Sequence, residues 1–165
     1  MAKPTKHATL ICAIMTVVTL IGIVLGIVLL KPIIIVACLL PAVVYEVYRT
    51  EGESTRWASW VLLLVIILEI VLIAFNINFD LGQFFGESSK TVAGYTVPLG
   101  DIKIFGPIIM AILSVLLFVR TRGKYTRWLA AIIFVTCFAI VYSINPDVLK
   151  QLFKIGVEEG LKSMN

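Results

Sequence analysis

The sequence contains few charged residues: Asp, Glu, Lys and Arg make up 15% of its 165 residues, whereas 60% are hydrophobic. A water-soluble domain needs about a quarter of its residues charged to keep its surface solvated. The charges that are present lie in short blocks between long apolar runs. This composition excludes a water-soluble globular domain and predicts an integral membrane protein whose solvent is the lipid bilayer.

The residues that build reactive sites are also scarce. His7 is the only histidine, and Cys12, Cys38 and Cys137 lie singly in apolar runs without CxxC spacing. We therefore expect no metal site, no haem and no other cofactor. A serine or cysteine nucleophile would lack an activating histidine, and the sequence has no glycine-rich phosphate-binding loop. The chain is not expected to be an enzyme or to bind nucleic acid.

Five apolar stretches are long enough to cross a hydrocarbon core of about 30 Å as helices, which takes roughly 17 to 20 residues. Helices are expected because isolated strands would leave backbone groups unpaired in lipid. The first two stretches are joined by a turn at about Lys31 and Pro32, so they form either a tight hairpin, which is favoured, or one bent helix. The predicted fold is an all-α membrane protein with one domain, residues 1–165, and spans at 8–30, 32–48, 57–79, 104–119 and 128–144.

The orientation follows from Lys and Arg, because short cytoplasmic loops carry an excess of them. With the N-terminus inside and the tail left out, eight basic residues lie on the cytoplasmic side and three on the other. This bias predicts a cytoplasmic N-terminus and an external C-terminus. The absence of an Asn-x-Ser/Thr sequon favours a prokaryotic cytoplasmic, or inner, membrane.

One turn sequence occurs twice in the chain. "RTEGESTRW" at 49–57 and "RTRGKYTRW" at 120–128 share Arg-Thr-x-Gly-x-x-Thr-Arg-Trp at an offset of 71 residues, from Arg49 to Arg120. The arginines that begin the motif are expected to complement the ends of the preceding helices. Its glycines are expected to adopt the left-handed conformation, and its second threonines to cap the next helices. The residues predicted to lie at the lipid headgroups are Arg49, Arg56, Trp57, Arg120, Arg122, Arg127 and Trp128.

Two explanations of the repeated turn remain open. Duplication of a helical hairpin is favoured, and it would give a parallel internal repeat of the kind found in some transporters. The alternative is convergence on residues that any cytoplasmic turn prefers.

Within the spans, small residues recur at steps of three and four, which is typical of helix-packing faces. The predicted packing residues are Thr19, Gly22, Gly26, Ala111, Ser114, Ala139 and Ser143.

Glu69 is the main intramembrane polar candidate, because it lies twelve residues from Trp57 and ten from Phe79 within one apolar run. A charge at the centre of a membrane helix costs about 2.5 to 3.5 kcal/mol. We expect a neutral, hydrogen-bonded carboxyl that fixes helix packing, contact with a partner's cation, or a proton or ion site. Asn76 is predicted to lie on the same helical face. Glu46, near its helix end, is predicted to be merely interfacial.

Two segments lie outside the predicted spans. The connection 80–103 contains the alternating "TVAGYTV", which indicates a small hairpin or structured cap. The tail 146–162 places Leu149, Leu152 and Phe153 on one face, which predicts an amphipathic helix lying at the membrane surface or against a partner.

Two function classes fit these features. The first is a non-catalytic subunit or assembly factor of a larger membrane complex, whose partners are the bilayer and other subunits or further copies of the chain. The second is a small transporter or channel built from two hairpin repeats, with Glu69 as its proton or ion site.

Overall fold

The computed structural model describes residues 7–50, 52–76, 90–92, 95–97 and 102–146. Over these residues the chain forms five long helices and one pair of short strands. All five helices are long and apolar enough to cross a membrane, which confirms the predicted helical class. The amphipathic tail lies outside the described residues. The helices are α1 (Ala8–Val28), α2 (Pro32–Arg49), α3 (Glu53–Ala74), α4 (Ile102–Arg120) and α5 (Lys124–Ile144), and the strands β1 (Lys90–Val92) and β2 (Tyr95–Val97).

The bounds of α3 differ from the predicted span 57–79. The helix begins four residues before Trp57, inside the repeated turn, and ends at Ala74. It ends there because Asn76 has a φ of 49° and directs its N–H to the carbonyl of Ile73 at 3.2 Å. Asparagine tolerates this left-handed conformation better than most residues. The predicted span therefore runs past the C-terminal end of α3.

Helices α1 and α2 form the tight hairpin that was favoured. Leu30 has a φ of 51°, and its N–H bonds the Ile27 carbonyl at 3.3 Å. The N–H of Lys31 bonds the Gly26 carbonyl at 3.0 Å. These two bonds make a Schellman ending with leucine in the place that glycine usually takes. The chain reverses at once, and α2 returns along α1.

The helices are arranged as a ring of four with α1 on the outside. Each of α2, α3, α4 and α5 packs against the next, and α5 packs back against α2. Helix α1 lies in the groove between α2 and α5. The middle of the ring is filled by side chains with no exposed surface, among them Leu39, Leu62, Ile66, Met110, Ile133 and Ile140.

The two ends of the bundle differ in their connections. Thr9, at the start of α1, bonds the Tyr125 hydroxyl at 2.9 Å, so the start of α1 and the second turn lie at one end, here called the turn end. The antiparallel strands β1 and β2, with Thr91 opposite Thr96, belong to the long connection between α3 and α4. They confirm the hairpin predicted within 80–103, although α4 already begins at Ile102.

Candidate functional site

The two copies of the repeated turn make the same backbone bonds. The N–H of Thr50 bonds the carbonyl of Glu46, and the N–H of Thr121 bonds that of Leu117, both at 2.9 Å. Thr50 and Thr121 are both buried. In each copy the second threonine then donates its hydroxyl to the carbonyl of the glycine three residues before it, at 3.1 Å in the first turn and 2.8 Å in the second. The two copies of the turn thus share these hydrogen bonds as well as their sequence.

The individual roles predicted in this motif need correction. Gly123 has a φ of −74°, and Gly52 pairs its φ of 114° with a ψ of 135°, so neither adopts the left-handed helical conformation. Gly52 and Gly123 are themselves the N-cap residues. Thr55 and Thr126 therefore lie inside the first turns, where they donate to a carbonyl, whereas a cap would accept from an N–H. The prediction failed because both helices begin earlier than their apolar runs.

Side chains of the repeated motif join the two turns and α1. The Arg49 guanidinium lies 4.9 Å from the centroid of the Tyr125 ring, a cation–π contact between the first turn and the second. The indole N–H of Trp128 donates to the Thr16 hydroxyl of α1 at 3.1 Å. Arg127 donates to the Thr121 carbonyl at 2.7 Å, so it caps the end of α4. The remaining predicted headgroup residues, Arg56, Trp57, Arg120 and Arg122, are exposed at this end.

The predicted packing residues fall into two kinds. A Cβ on Gly22 would overlap the Cβ of Cys38, and one on Gly26 would overlap the Ile35 side chain, so these glycines bring α1 against α2. Thr19 and Ser114 are buried and donate their hydroxyls to carbonyls of their own helices. Thr19 bonds the Met15 carbonyl at 2.8 Å, and Ser114 bonds the Ala111 carbonyl at 2.7 Å. Ala111, Ala139 and Ser143 are half-buried.

Glu69 is completely buried and contacts α4 at a glycine. A Cβ on Gly106 would overlap the Glu69 Oε2 atom, so the absence of a side chain at 106 makes room for the carboxyl group. Cys137 of α5 lies within electrostatic range of Glu69. Because α3 ends at Ala74, Glu69 is five residues from the helix end, about 8 Å, and not at the middle of the helix.

Asn76 does not share a helical face with Glu69, because it lies beyond the end of α3. It is exposed and accepts a hydrogen bond of 2.9 Å from the Lys103 ammonium group. Lys103 belongs to α4, one turn before Gly106. The α3/α4 contact thus holds an acid, an amide and a lysine towards the end that carries the long connection.

Glu46, predicted to be interfacial, is a second fully buried acid. The Thr50 hydroxyl lies 2.8 Å from Glu46 Oε1, and the Ser59 hydroxyl of α3 lies 3.0 Å from the Thr50 oxygen. Glu46 Oε2 is buried without a hydrogen-bond partner among the described residues. A signal was present: Leu39, Val43, Glu46 and Thr50 recur at helical steps of four, three and four and form one inward stripe.

At the offset of 71 residues, most buried positions of α2 and α3 correspond to buried positions of α4 and α5, although Ala42 and Leu72 correspond to half-buried Leu113 and Ser143. Their chemistry differs. Leu117 stands where the first half has Glu46, and buried Thr121, the counterpart of Thr50, has no hydrogen bond to its hydroxyl within the described chain. Both buried acids therefore belong to the first half. The corresponding pairs include Leu39 and Met110, Glu46 and Leu117, Ser59 and Ala130, Leu62 and Ile133, and Glu69 and Ile140.

In the part of the chain that the structure describes, no group of three or more His, Cys, Asp or Glu side chains is placed to hold a metal ion. The polar chemistry of the bundle is instead that of two carboxyl groups, one at each end of the ring. No family model, curated protein or solved structure matches this chain.

Proposed function

We propose that the chain is a membrane-spanning, non-catalytic subunit or assembly factor of a larger complex in a prokaryotic cytoplasmic membrane. The observation that supports this is an asymmetry in the bundle. The ring of four helices has two corresponding grooves, α2/α5 and α4/α3, and α1 fills the first. Among the described residues no helix covers the second. A duplicated hairpin, α2–α3 and α4–α5, would explain why the two grooves correspond.

The difference between the two grooves is visible in the exposed fractions of the two corresponding tryptophans. Trp128, which bonds Thr16 of α1, is 45% exposed, whereas its counterpart Trp57 is 75% exposed. The surface of the second groove that no described helix covers is here called the open face. We assign to it large apolar side chains of α3 and α4 that are all exposed. Its members are Trp57, Trp60 and Leu64 of α3 and Phe105 and Ile112 of α4.

The proposed occupant of the open face is a transmembrane helix of a partner subunit with small residues one turn apart. Helix α1 provides the pattern, because Gly22 and Gly26 let it approach the corresponding groove closely. Aromatic residues such as Trp60 and Phe105 supply large contact areas at low cost in conformational entropy, as anchors of interfaces commonly do.

Photo-crosslinking tests this assignment. A photoreactive residue is placed at Trp60 or Leu64 in the full chain, expressed in the cells that naturally contain it, and the protein is purified in a mild detergent. Ile14 of α1, which is also exposed, provides the lipid-facing control. We expect stoichiometric crosslinks to one other membrane protein from positions 60 and 64 and none from position 14. Crosslinks only to lipid, or only to further copies of this chain, would refute the partner subunit.

A second candidate function is proton or cation transport, favoured by the complete burial of Glu69 between α3 and α4. Intramembrane acids commonly mark ion pathways. In vesicles containing the purified chain, a transport role predicts that Glu69→Gln abolishes ion flux. A packing role predicts that Glu69→Gln is tolerated while Glu69→Leu impairs folding. Retained flux in Glu69→Gln would exclude Glu69 as the transport site.

A further inference from the structure

We propose that Glu46, Thr50 and Ser59 form a buried proton-binding site at the turn end of the bundle. The site binds one proton on the Glu46 carboxylate and accommodates both protonation states by turning two hydroxyl hydrogens. This inference goes beyond the proposed subunit function and does not depend on it. It rests on the hydrogen-bond geometry around Glu46.

The two hydroxyl groups have more acceptors than hydrogens. Thr50 has one hydroxyl hydrogen, and two acceptors lie within reach: the Glu46 carbonyl at 2.9 Å and Glu46 Oε1 at 2.8 Å. Ser59 likewise has one hydrogen and more than one acceptor: the Thr55 carbonyl at 3.1 Å, the Thr50 hydroxyl oxygen at 3.0 Å, and the Glu46 carboxyl group, with which it also interacts. Each hydroxyl can therefore donate to only one of its acceptors at a time.

Which acceptor each hydroxyl bonds depends on whether Glu46 is charged or protonated. When Glu46 is a carboxylate, Thr50 donates to Oε1 and Ser59 donates to the Thr50 oxygen, so two hydroxyl dipoles point toward the negative charge. When a proton binds at Oε1, the new O–H donates to the Thr50 oxygen. Thr50 then turns to the Glu46 carbonyl, and Ser59 turns to the Thr55 carbonyl. One proton from water neutralises one negative charge, and no heavy atom needs to move.

The position of the proton follows from the other carboxyl oxygen. Glu46 Oε2 is buried, and no described group bonds it, so a proton placed there would have no acceptor. Burying an O–H without an acceptor is unfavourable, because the group loses its hydrogen bond to water and gains none in the protein. Oε1 therefore takes the proton, and Oε2 becomes the carbonyl oxygen of the acid.

The surrounding charges favour a proton over a protein cation as the compensating charge. Arg49, the basic residue of α2 nearest in sequence, stacks on Tyr125, and Arg56 of α3 is exposed. The oxygens at the site come from one carboxyl, two hydroxyls and backbone carbonyls, a sparse set for a divalent ion. The titratable or charged groups on the helices packed around this end are Cys12 of α1, Tyr45, Tyr48 and Arg49 of α2, Glu53 and Arg56 of α3, Arg120 of α4, and Lys124, Tyr125 and Arg127 of α5.

The second half of the ring provides a matched control. At the offset of 71 residues, Leu117 replaces Glu46, and Ala130 replaces Ser59. Thr121 keeps the place of Thr50 and is equally buried. A change at Thr121 therefore removes a buried hydroxyl at the same end of the bundle without touching the proposed site.

Infrared difference spectroscopy of the full chain in lipid vesicles tests the proposal. The measured signal is the C=O stretching band of a protonated carboxyl group during a pH titration, in H2O and in D2O. We expect a band that is lost in Glu46→Gln, retained in Glu69→Gln and shifted in frequency in Thr50→Val, where the acid loses its acceptor. Thr50→Ser should restore the original frequency, and Thr121→Val should leave it unchanged.

Three results would overturn the proposal: a band insensitive to Glu46→Gln, no titrating band at all, or a band that disappears when sodium ions replace potassium at constant pH. The last result would assign the site to a metal cation. Circular dichroism and the elution volume of each variant, compared with the parent protein, establish that the lost band does not report unfolding. Because the readout requires no partner, its failure is distinguishable from failure of the subunit proposal.

Discussion

Leu30 occupies a backbone conformation that suits glycine. Its φ of 51° places it in the left-handed region, which costs an L-residue with a Cβ about 1 to 2 kcal/mol. Its side chain is 75% exposed, so leucine gains little there from packing against the bundle. The hairpin is thus held by the contact of α1 with α2 and not by a favourable turn residue.

Replacing Leu30 should therefore stabilise the protein. We expect Leu30→Gly to raise the free energy of unfolding by about 0.5 to 1 kcal/mol, since the relief of strain exceeds the added entropy of the unfolded chain. Denaturant titration in detergent micelles provides the measurement. The control is Leu29→Gly, where φ is −86° and glycine brings no relief, so this variant should be less stable than the parent. A destabilised Leu30→Gly would contradict the Schellman geometry.

Gly106 leaves the space that the Glu69 carboxyl group occupies. Gly106→Ala should lower stability by about 1 to 3 kcal/mol through overpacking, because the new Cβ would overlap Glu69 Oε2. The same measurement in a Glu69→Ala background should show a much smaller loss. Glu69→Gln preserves the side-chain length and should give no relief. Equal costs in all three backgrounds would show that the two residues do not interact.

The contrast between the two acids shows what can be predicted for single residues. The burial of Glu69 was foreseeable from its position within an apolar run. Its approach to Gly106 was not, because the register of α3 against α4 is a tertiary property. Glu46 was misjudged because distance from a helix end gives the depth of a residue but not the face on which it lies. The helical stripe of Leu39, Val43 and Thr50 would have indicated that face.

At the scale of helices, the contact between α1 and α2 offers a paired test. Gly22→Ala and Gly26→Ala should each destabilise the hairpin by about 1 to 3 kcal/mol, less the roughly 1 kcal/mol that alanine gains in helix propensity. Ile35→Ala should relieve the second clash, because the overlap at Gly26 involves the Ile35 Cγ1 atom. Cys38→Ala should not relieve the first, because the overlap at Gly22 involves the Cys38 Cβ, which alanine retains.

Unfolding of the single and double variants in detergent supplies these four comparisons. The register of α1 against α2 would be contradicted if the second substitution restored stability in both pairs, or in neither pair. The small-residue spacing predicted that Gly22 and Gly26 face a neighbour. It did not predict which helix that is, since the same stripe suits contact within the chain or between subunits.

For the repeated turn too, the sequence predicted the general arrangement but not the exact helix bounds. Its recurrence at an offset of 71 residues predicted two equivalent connectors, and their backbone bonds are equivalent. The start of each helix was predicted too late, because the apolar pattern begins only at Trp57 and Trp128. The helices start at Glu53 and Lys124, in polar sequence that the hydrophobic period does not describe.

At the scale of the whole molecule, the start of α1 and the second turn lie at one end of the bundle, and Arg49 of the first turn stacks on Tyr125 of the second. The basic residues of both turns are therefore gathered at that end. The positive-inside rule assigns such an end to the cytoplasm. The N-terminus would then be cytoplasmic, and the strands β1 and β2 would be external.

Single cysteines test this orientation in a background without Cys12, Cys38 and Cys137. A membrane-impermeant maleimide should label Ser54→Cys and Lys124→Cys only after the membrane is opened, and Ser88→Cys in intact cells, because the first two lie in the basic turns and the third in the long connection. Lys124 is exposed at the turn end, so its labelling is not limited by packing. Labelling of positions 54 and 124 from opposite sides would contradict the five-helix topology. Labelling of both in intact cells would keep the topology and reverse its orientation, in which case the Glu46 site would take its proton from outside the cell.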